Sequence, residues 1–251
     1  MHKILANTLF LGKEVLHLPE CHSTNDVALQ KYRNKEIYEG SIIITDKQTA
    51  GRGQRGNTWE SEIGQNLTFS LVLTPHFLDP RAQFNLNIAI SLAIQEALMR
   101  FATNIQIKWP NDIVHSSLGK IGGILIESTI GGRGLEVSIV GIGLNINQTN
   151  FSFPKACSLA NICGYMLNRN DILEAVITRI EYNYLFLQQD GAGALRNRYL
   201  KNLFQLKEWS TYDDGKIFRG KILGITEEGR LIVEKANGPI NLYAFKEVRF
   251  L

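Results

Sequence analysis

The sequence predicts an α+β fold, in which a mixed β-sheet with helices is followed by a small antiparallel β-barrel. Three observations lead to this prediction. The 251 residues are 44% hydrophobic, which is enough to bury a large core. Segments with strand and helix periodicity follow one another through most of the chain. The last part, about 45 residues, instead carries closely spaced turn signals between short runs of β-forming residues.

The first helix is predicted to begin at about Thr24, because Ser23 and Asp26 form a capping-box-like start. Two strands follow. "GSIIITDKQ" is an apolar run behind Gly40, and "NLTFSLVLTP" alternates apolar and polar residues before Pro75. A segment rich in glycine and arginine, "TAGRGQRGNTW", lies between these two strands.

A long buried helix is predicted for "AQFNLNIAISLAIQEALMRFA", because its apolar residues recur at helical spacing without a proline. "IQIKWPND", "KIGGILIESTI" and "EVSIVGIGLNIN" predict three further strands, and "DILEAVITRIEYNYLFL" returns to the helical period. Turn signals at Asp214-Gly215, Glu228-Gly229 and Asn237-Gly238 then predict the barrel. We therefore expect one domain over residues 1–205 and a second over residues 206–251, packed against each other.

Composition excludes several classes of protein. The 27 basic and 24 acidic residues give a net charge of +3, far from the imbalance of a nucleic-acid coat. Cys21, Cys157 and Cys163 lack metal-ligand spacing and are expected to be reduced thiols. The first residues lack the continuous apolar core of a signal peptide, and no segment has the roughly 20 apolar residues of a membrane span. We expect a cytoplasmic protein.

The loop "GRGQRG" has the chemistry of an anion site. Glycines let backbone N–H groups approach a ligand closely, and Arg52 and Arg55 supply charged donors for a phosphate or carboxylate. The alternative is a solvated hairpin with chance arginines. A dinucleotide site is disfavoured, because no helix follows the loop and no ribose-binding acid is present. A P-loop is excluded because the GK[ST] ending is missing.

"KWPND" groups Lys108, Asn111 and Asp112 where a proline breaks a strand. We expect Asn111 and Asp112 to lie at the strand end beside a cavity. A carboxylate with few companions suits Mg²⁺ that arrives on the phosphates of a nucleotide. The alternative is that Asp112 is a turn residue or a cap.

Two glycine-containing strand segments add further candidates. Lys120 of "GKIGGILIES" precedes a glycine pair, where an ammonium could neutralise a carboxylate or phosphate. The alternative is a surface lysine in a turn. Asn145 and Asn147 end the strand "GIGLNIN", and their amides either bond to nearby backbone or read a polar heterocycle.

The sequence contains no recognisable catalytic nucleophile. It has no serine elbow and no cysteine paired with a plausible histidine, and its five histidines are scattered. A reaction that depends on charge neutralisation and positioning fits this inventory better than hydrolysis.

Together, "STND", "TDKQTAGRGQRGNTW", "KWPNDI", "GKIGGILIE" and "GIGLNIN" resemble, in order and spacing, the motifs of the biotin protein ligases. The resemblance implies a sheet domain like that of class II synthetases and an SH3-like C-terminal barrel. It implies that ATP and Mg²⁺ activate biotin to biotinyl-5′-AMP. The biotinyl group then passes to one lysine of a biotin carboxyl carrier domain.

The resemblance also implies roles for single residues. Lys120 and Arg52 are the expected catalytic residues, and Asp112 is the expected metal ligand. Biotin is expected to contact Ser23, Thr24, Asn25, Gln48, Gly51, Arg52, Gly53, Gln54, Lys120 and Gly123. The nucleotide is expected to contact Arg55, Trp59, Lys108, Asn111 and Asn145. The loop is expected to be soft so that it can admit biotin and then order around an anionic intermediate.

Two departures from the family and two alternatives accompany this interpretation. Many members carry a third basic residue where this chain has Gln54. Many bacterial members begin with a DNA-binding domain, for which we expect no room before Ser23, so DNA binding is not expected; a monomer or a homodimer is. Lipoate or octanoyl transfer is disfavoured, because the arginine-arginine and triple-glycine pattern of that family is missing. A non-catalytic biotin- or nucleotide-binding regulator could lack Lys120 or Arg52, yet both are present.

Overall fold

The computed structural model describes residues 7–132, 134–236 and 238–251, without the side chain of Arg55. The strands are β1 (Val15–Cys21), β2 (Ile42–Gln48), β3 (Leu67–Leu73), β4 (Ile105–Lys108), β5 (Asp112–His115), β6 (Gly119–Gly131), β7 (Gly134–Leu144), β8 (Trp209–Asp213), β9 (Ile217–Ile225), β10 (Leu231–Lys235), β11 (Ile240–Tyr243) and β12 (Arg249–Phe250). The helices are α1 (Thr24–Arg33), α2 (Phe84–Leu98), α3 (Leu159–Cys163), α4 (Arg169–Gln188) and α5 (Ala192–Lys201). Asn237, which belongs to one predicted turn, lies outside the described residues.

The first seven strands form one mixed sheet in the order β1-β2-β3-β7-β6-β5-β4. Strands β1 and β2 run parallel, and the other neighbours are antiparallel. Helix α1 packs on one face of the sheet, while α2, α4 and α5 pack together on the other. The predicted α+β class is confirmed.

Strand β3 explains how the sheet positions a site. Its polar and apolar residues alternate, as predicted, yet every residue of the strand is buried. Leu67, Phe69 and Leu71 belong to the core beneath α2 and α4. Thr68 and Ser70 face the side where α1 lies, Ser70 within hydrogen-bonding distance of α1 residues. The polar face of β3 is therefore part of an enclosed polar site and does not meet bulk solvent.

Helix α1 begins where the sequence predicts. Ser23 is its N-cap, with extended backbone, and accepts a hydrogen bond from Asp26 N at 3.5 Å. The buried helix α2 and the amphipathic helix α4 are likewise present.

The sequence interpretation missed β1, β5, α3 and α5. Strand β1 lies at an open edge and contains Pro19, which weakens the strand signal. Strands as short as β5 and helices as short as α3 carry too few residues for a periodic pattern. Helix α5 buries only Leu195 and Tyr199.

Strands β8 to β12 form an antiparallel sheet where the sequence predicts a small antiparallel barrel, in the order β11-β10-β9-β8-β12. This sheet packs directly on the first part of the chain. Trp109 Nε1 donates to the carbonyl of Gly229 at 2.8 Å, and the Trp109 and Phe245 rings meet edge to face at 5.4 Å. Gly229 has φ +86°, and a Cβ there would clash with the Phe84 ring. One continuous hydrophobic core joins both sheets.

Candidate functional site

A cavity of about 1040 Å³ brings most of the predicted site residues together. It lies where α1, the glycine-rich loop, the β4–β5 turn and the strands β6 and β7 meet. The predicted residues that line it are Ser23, Thr24, Asn25, Gln48, Arg52, Gly53, Gln54, Trp59, Asn111, Asp112, Lys120, Gly123 and Asn145. Gly51 and Lys108 are not among its lining residues. The side chain of Arg55 lies outside what the structure describes.

One end of the cavity is polar but uncharged. Gln48 Oε1 accepts from Thr24 N at 2.8 Å and from Thr24 Oγ1 at 3.2 Å. The Ser70 hydroxyl lies 2.7 Å from Thr24 Oγ1 and 2.6 Å from Asn25 Oδ1. Because these bonds occupy the carbonyl of Gln48, its amide NH₂ is the group left to donate to a ligand.

Two glycines of β7 make room for these side chains. A Cβ on Gly141 would clash with the Asn25 amide, and a Cβ on Gly143 would clash with the Trp59 ring. The sequence interpretation treated this strand only as an apolar run that ends in asparagine. The alternating glycines of "GIGLNIN" were the available signal, because a glycine within a strand often marks close approach of another group.

The glycine-rich loop forms a short hairpin at the mouth of the cavity. Arg52 and Thr58 form an antiparallel bridge, and Gly53 N donates to Asn57 O at 2.7 Å. Trp59 N donates to Gly51 O at 2.9 Å, and a Cβ on Gly51 would lie 2.5 Å from Trp59 O. Gly51 thus supports the hairpin from behind and does not line the cavity.

Arg52 points from this loop toward two carboxylates. Its Nη2 donates to Asp26 Oδ1 at 2.5 Å and lies 3.4 Å from both carboxylate oxygens of Glu127. Glu127 Oε2 also accepts from Asn25 Nδ2 at 2.6 Å. Neither acid was identified as a site residue from the sequence.

Lys120 and Asp112 form an ion pair inside the cavity, with Nζ 2.7 Å from Oδ1. Lys120 lies in β6 and not in a turn, so its side chain is only 31% exposed. Asp112 is the first residue of β5, at the strand boundary that the sequence predicts. A Cβ on Gly123 would lie 3.3 Å from Lys120 Nζ. The glycine therefore leaves space beside the charged pair.

Asn111 and Asn145 differ in what they offer a ligand. Asn111 Nδ2 donates to the carbonyl of Ile124, which ties the β4–β5 turn to β6. Asn145 Nδ2 donates to Cys157 O at 3.1 Å, whereas its Oδ1 is buried and has no partner among the residues that the structure describes. Trp59 Nε1 is a buried donor that likewise lacks a partner within the described part of the chain.

Lys108 is not among the residues that line the cavity. Its Nζ sits 4.8 Å from the centre of the Phe250 ring. Burial lowers the pKa of Lys108, and the charge of Asp112 partly opposes that shift. The structure therefore does not place Lys108 in contact with the cavity.

Two further segments line the cavity and were missed. One is Phe151–Phe153, which is tied to the loop by a 2.5 Å hydrogen bond from Ser152 Oγ to Glu60 Oε2. The other comes from the C-terminal sheet and consists of Phe245, Lys246, Val248, Arg249 and Phe250. No sequence signal linked these residues to motifs so far away in the chain.

Within the described residues, no cluster of three or more histidine, cysteine, aspartate or glutamate side chains could hold a metal ion. Cys21, Cys157 and Cys163 are free thiols, and burial raises the pKa of Cys157 to about 11. No helix of the described chain is both long and apolar enough to cross a membrane.

Known proteins resemble this chain in sequence and in architecture. Residues 18–145 match the biotin/lipoate A/B protein ligase family, and residues 211–247 match the biotin protein ligase C terminal domain. The bifunctional ligase/repressor BirA of Bacillus subtilis is 29% identical over 248 residues, which cover 94% of this chain and 74% of that protein. Biotin--protein ligase 2 of Arabidopsis thaliana is 31% identical over 196 residues, which cover 76% of this chain and 58% of that protein.

Solved structures agree with the sequence comparison. The biotin protein ligase from Aquifex aeolicus, in complex with biotin and ATP, superimposes with a TM-score of 0.77 at 27% identity. The match covers 95% of this chain and all of that one. With a family match over half of its length, a matching C-terminal domain and this shared architecture, the chain belongs to the biotin/lipoate A/B protein ligase family, among its biotin protein ligases.

Proposed function

We propose that the protein activates biotin with ATP to biotinyl-5′-AMP and then transfers the biotinyl group to a lysine of a carrier protein. The observation that carries this proposal is one cavity that combines uncharged polar side chains with charged ones. Thr24, Asn25 and Gln48 supply the uncharged groups. Lys120 beside Asp112, and Arg52 beside Asp26 and Glu127, supply the cations. Biotin has the same division, with a neutral ureido ring at one end and a carboxylate at the other.

The uncharged end receives the ureido ring. Gln48 keeps its amide NH₂ available because Thr24 occupies its carbonyl oxygen. Ser70 and Glu127 orient Asn25 from two sides. A buried site whose polar groups are oriented in this way selects a ligand that can match them, since an unmatched partner leaves polar groups unpaired.

The charged side chains are proposed to assist the first step. A carboxylate oxygen of biotin attacks the α-phosphorus of ATP, the bond to the β-phosphate breaks, and pyrophosphate leaves. Two anionic groups must approach each other, so a fixed ammonium at Lys120 and a guanidinium at Arg52 lower the barrier. In the second step a lysine amine attacks the acyl carbon and AMP leaves. No covalent bond to the protein is required, which agrees with the absence of a recognisable nucleophile in the sequence.

Asp112 is proposed as the protein ligand of Mg²⁺. A lone carboxylate fits this ion, because Mg²⁺ retains several waters and is commonly bound by one or two carboxylates together with substrate phosphates. When bound, the ion supplies positive charge to the phosphates. Lys120 is 2.7 Å from Asp112, so this pair must share or exchange partners when metal and nucleotide enter.

The adenine ring is proposed to lie against Asn145. The unpartnered Oδ1 of Asn145 is a buried acceptor, and the exocyclic amine of adenine is a donor. Phe250 and Arg249 of the C-terminal sheet line the same cavity and are proposed to contact the nucleotide.

The acceptor is proposed to be the carrier domain of a biotin-dependent carboxylase. We also propose the domain division at residues 205 and 206, which is supported by the start of the second sheet at Trp209. A monomer or a homodimer stays the prediction for the working enzyme.

The decisive experiment supplies ATP, Mg²⁺ and a carrier domain together with either biotin or lipoate, and measures the intact mass of the carrier. A carrier whose mass increases by a biotinyl group, and not by a lipoyl group, supports the proposal. Addition of lipoate would indicate the related acyl-transfer function, and no modification together with biotin binding would indicate a regulator. Pyrophosphate release must also depend on biotin.

A further inference from the structure

Arg52 has more negative charge around it than its own charge can neutralise. Asp26 and Glu127 both contact its guanidinium, at 2.5 Å and 3.4 Å. The side chain of Arg52 is 47% exposed, that of Asp26 36% and that of Glu127 42%, so the three side chains are in contact with each other and partly with solvent. We refer to Asp26, Arg52 and Glu127 as the acidic clamp.

The acidic clamp joins three separate elements. Asp26 lies in the first turn of α1, Glu127 lies in β6, and Arg52 comes from the glycine-rich loop. Glu127 also binds Asn25, whose amide faces the uncharged end of the cavity. The loop is thereby connected to the residues proposed to bind the biotin ring.

A purely local role for the acids explains less. An acidic residue in the first helical turn, such as Asp26, is favourable on its own because of the helix dipole. That role needs no contact with Arg52. Glu127 has no such role, since it lies in the middle of a strand. The loop itself has three glycines within six residues, so fixing it carries a large entropic cost that the two ion pairs oppose.

We propose that Asp26 and Glu127 are positioning residues for the ligase reaction, which hold Arg52 across the mouth of the cavity before any substrate binds. This inference rests on the proposed function for its consequence in activity. The loop order that it predicts belongs to the ligand-free protein. Because the ordering cost of the loop is met in advance, biotin and its adenylate bind more tightly than they would to a free loop.

The first measurement is amide hydrogen exchange of residues 50–59 in the ligand-free protein. Asp26→Asn and Glu127→Gln should each accelerate exchange roughly two- to fivefold, the scale of a partly exposed ion pair. Glu127→Gln retains an oxygen for Asn25, so it removes charge and spares that hydrogen bond. Asp26→Glu should restore slow exchange. Glu20→Gln is the matched control, because it breaks an exposed 2.7 Å ion pair with Lys47 outside the cavity.

The second measurement is a double-mutant cycle. In the Arg52→Ala background, Asp26→Asn and Glu127→Gln should have no further effect on loop exchange or on the dissociation constant for biotin. In the parent background each should weaken biotin binding, by at most the factor by which it accelerates exchange, because the dissociation constant depends on the closed fraction of the loop. If the acids had a merely structural role, their substitution would still change loop exchange after Arg52 is removed.

Two outcomes would overturn the proposal. One is unchanged loop exchange in both variants. The other is tighter biotin binding, which would mean that the acids act mainly by repelling the carboxylate of biotin. Neither outcome depends on ligase activity. Failure of the proposed function gives a different result: the carrier domain stays unmodified, although the loop of the parent protein is protected from exchange.

Discussion

Replacing Lys120 by alanine is expected to slow adenylate formation by about 10²- to 10³-fold, the scale of losing one preorganised electrostatic donor, which corresponds to ~2.7–4 kcal/mol. The reason is that Lys120 lines the cavity, where the proposed reaction brings a carboxylate and a phosphate together. The same substitution is expected to change the stability of the fold much less.

The structural cost follows from the ion pair itself. Lys120 and Asp112 are 31% and 26% exposed, so solvent screens much of their attraction. An ion pair of this type contributes about 0.2–1 kcal/mol. In a chain of this size that corresponds to a decrease in Tm of no more than about 2–4 °C. The predicted catalytic loss is therefore several times larger than the predicted loss of stability.

The assay is single-turnover formation of biotinyl-5′-AMP alongside thermal unfolding, for the parent, Lys120→Ala and Lys120→Arg. Arginine should restore only part of the rate, because a planar guanidinium does not replace a compact ammonium between closely spaced anions. Lys47→Ala serves as the control, because its 2.7 Å pair with Glu20 has the same length and lies outside the cavity. A Lys120→Ala protein that forms adenylate at the parent rate would exclude this role and leave Lys120 as a structural residue.

Three further predictions concern other parts of the molecule. Asp112→Ala should raise the KM for MgATP roughly 10- to 100-fold. Biotin affinity without ATP, measured by calorimetry, should stay the same or rise, because Lys120 loses its anionic partner. An equal loss of biotin affinity would place Asp112 in the biotin site. ITP should be used about 10- to 100-fold less efficiently than ATP, because its O6 is an acceptor and would face Asn145 Oδ1, which is also an acceptor. Equal use of both nucleotides in steady-state kinetics would show that Asn145 does not recognise the base. Glu181→Gln should lower the free energy of unfolding by about 2–4 kcal/mol. The reason is that the buried carboxylate accepts hydrogen bonds from Leu9 N, Phe10 N and Leu11 N at 2.6, 2.8 and 2.9 Å. A urea midpoint like that of the parent would show that residues 9–11 are held by other contacts.

The sequence predicted the elements whose signals are local. Ser23 caps α1, and α2 is buried along most of its length, because capping and helical periodicity depend on neighbouring residues. Strand β3 was predicted as a strand, but its alternation had a different cause from the one expected of a half-exposed strand. Its polar residues face an enclosed site, and only the packing of α1 over the sheet reveals that.

Contacts between distant segments could not be predicted in the same way. The register of β5 against β6, which includes an irregularity after Ile113, brings Lys120 beside Asp112. The sequence interpretation had assigned the two residues separate roles. Arg249 and Phe250 reach the cavity because the second sheet packs onto Trp109, a contact between residues more than a hundred positions apart.

The two candidate catalytic cations share one electrostatic arrangement. Arg52 is paired with Asp26 and Glu127, and Lys120 with Asp112, so each of these two cations has an acidic partner before a ligand binds. An unpaired charge in a partly buried site is costly, and these acids reduce that cost. At Lys120, binding of an anionic ligand is then an exchange of partners, because Mg²⁺ held at Asp112 would compete with Lys120 for that carboxylate. At Arg52, Asp26 and Glu127 are proposed to stay in place and to position the guanidinium. This arrangement predicts that Lys120 adds little to the affinity for biotin alone. Its full interaction with the carboxylate and the phosphate should develop only when MgATP is bound. Under that condition the lysine lowers the barrier of the reaction more than it stabilises the bound substrates.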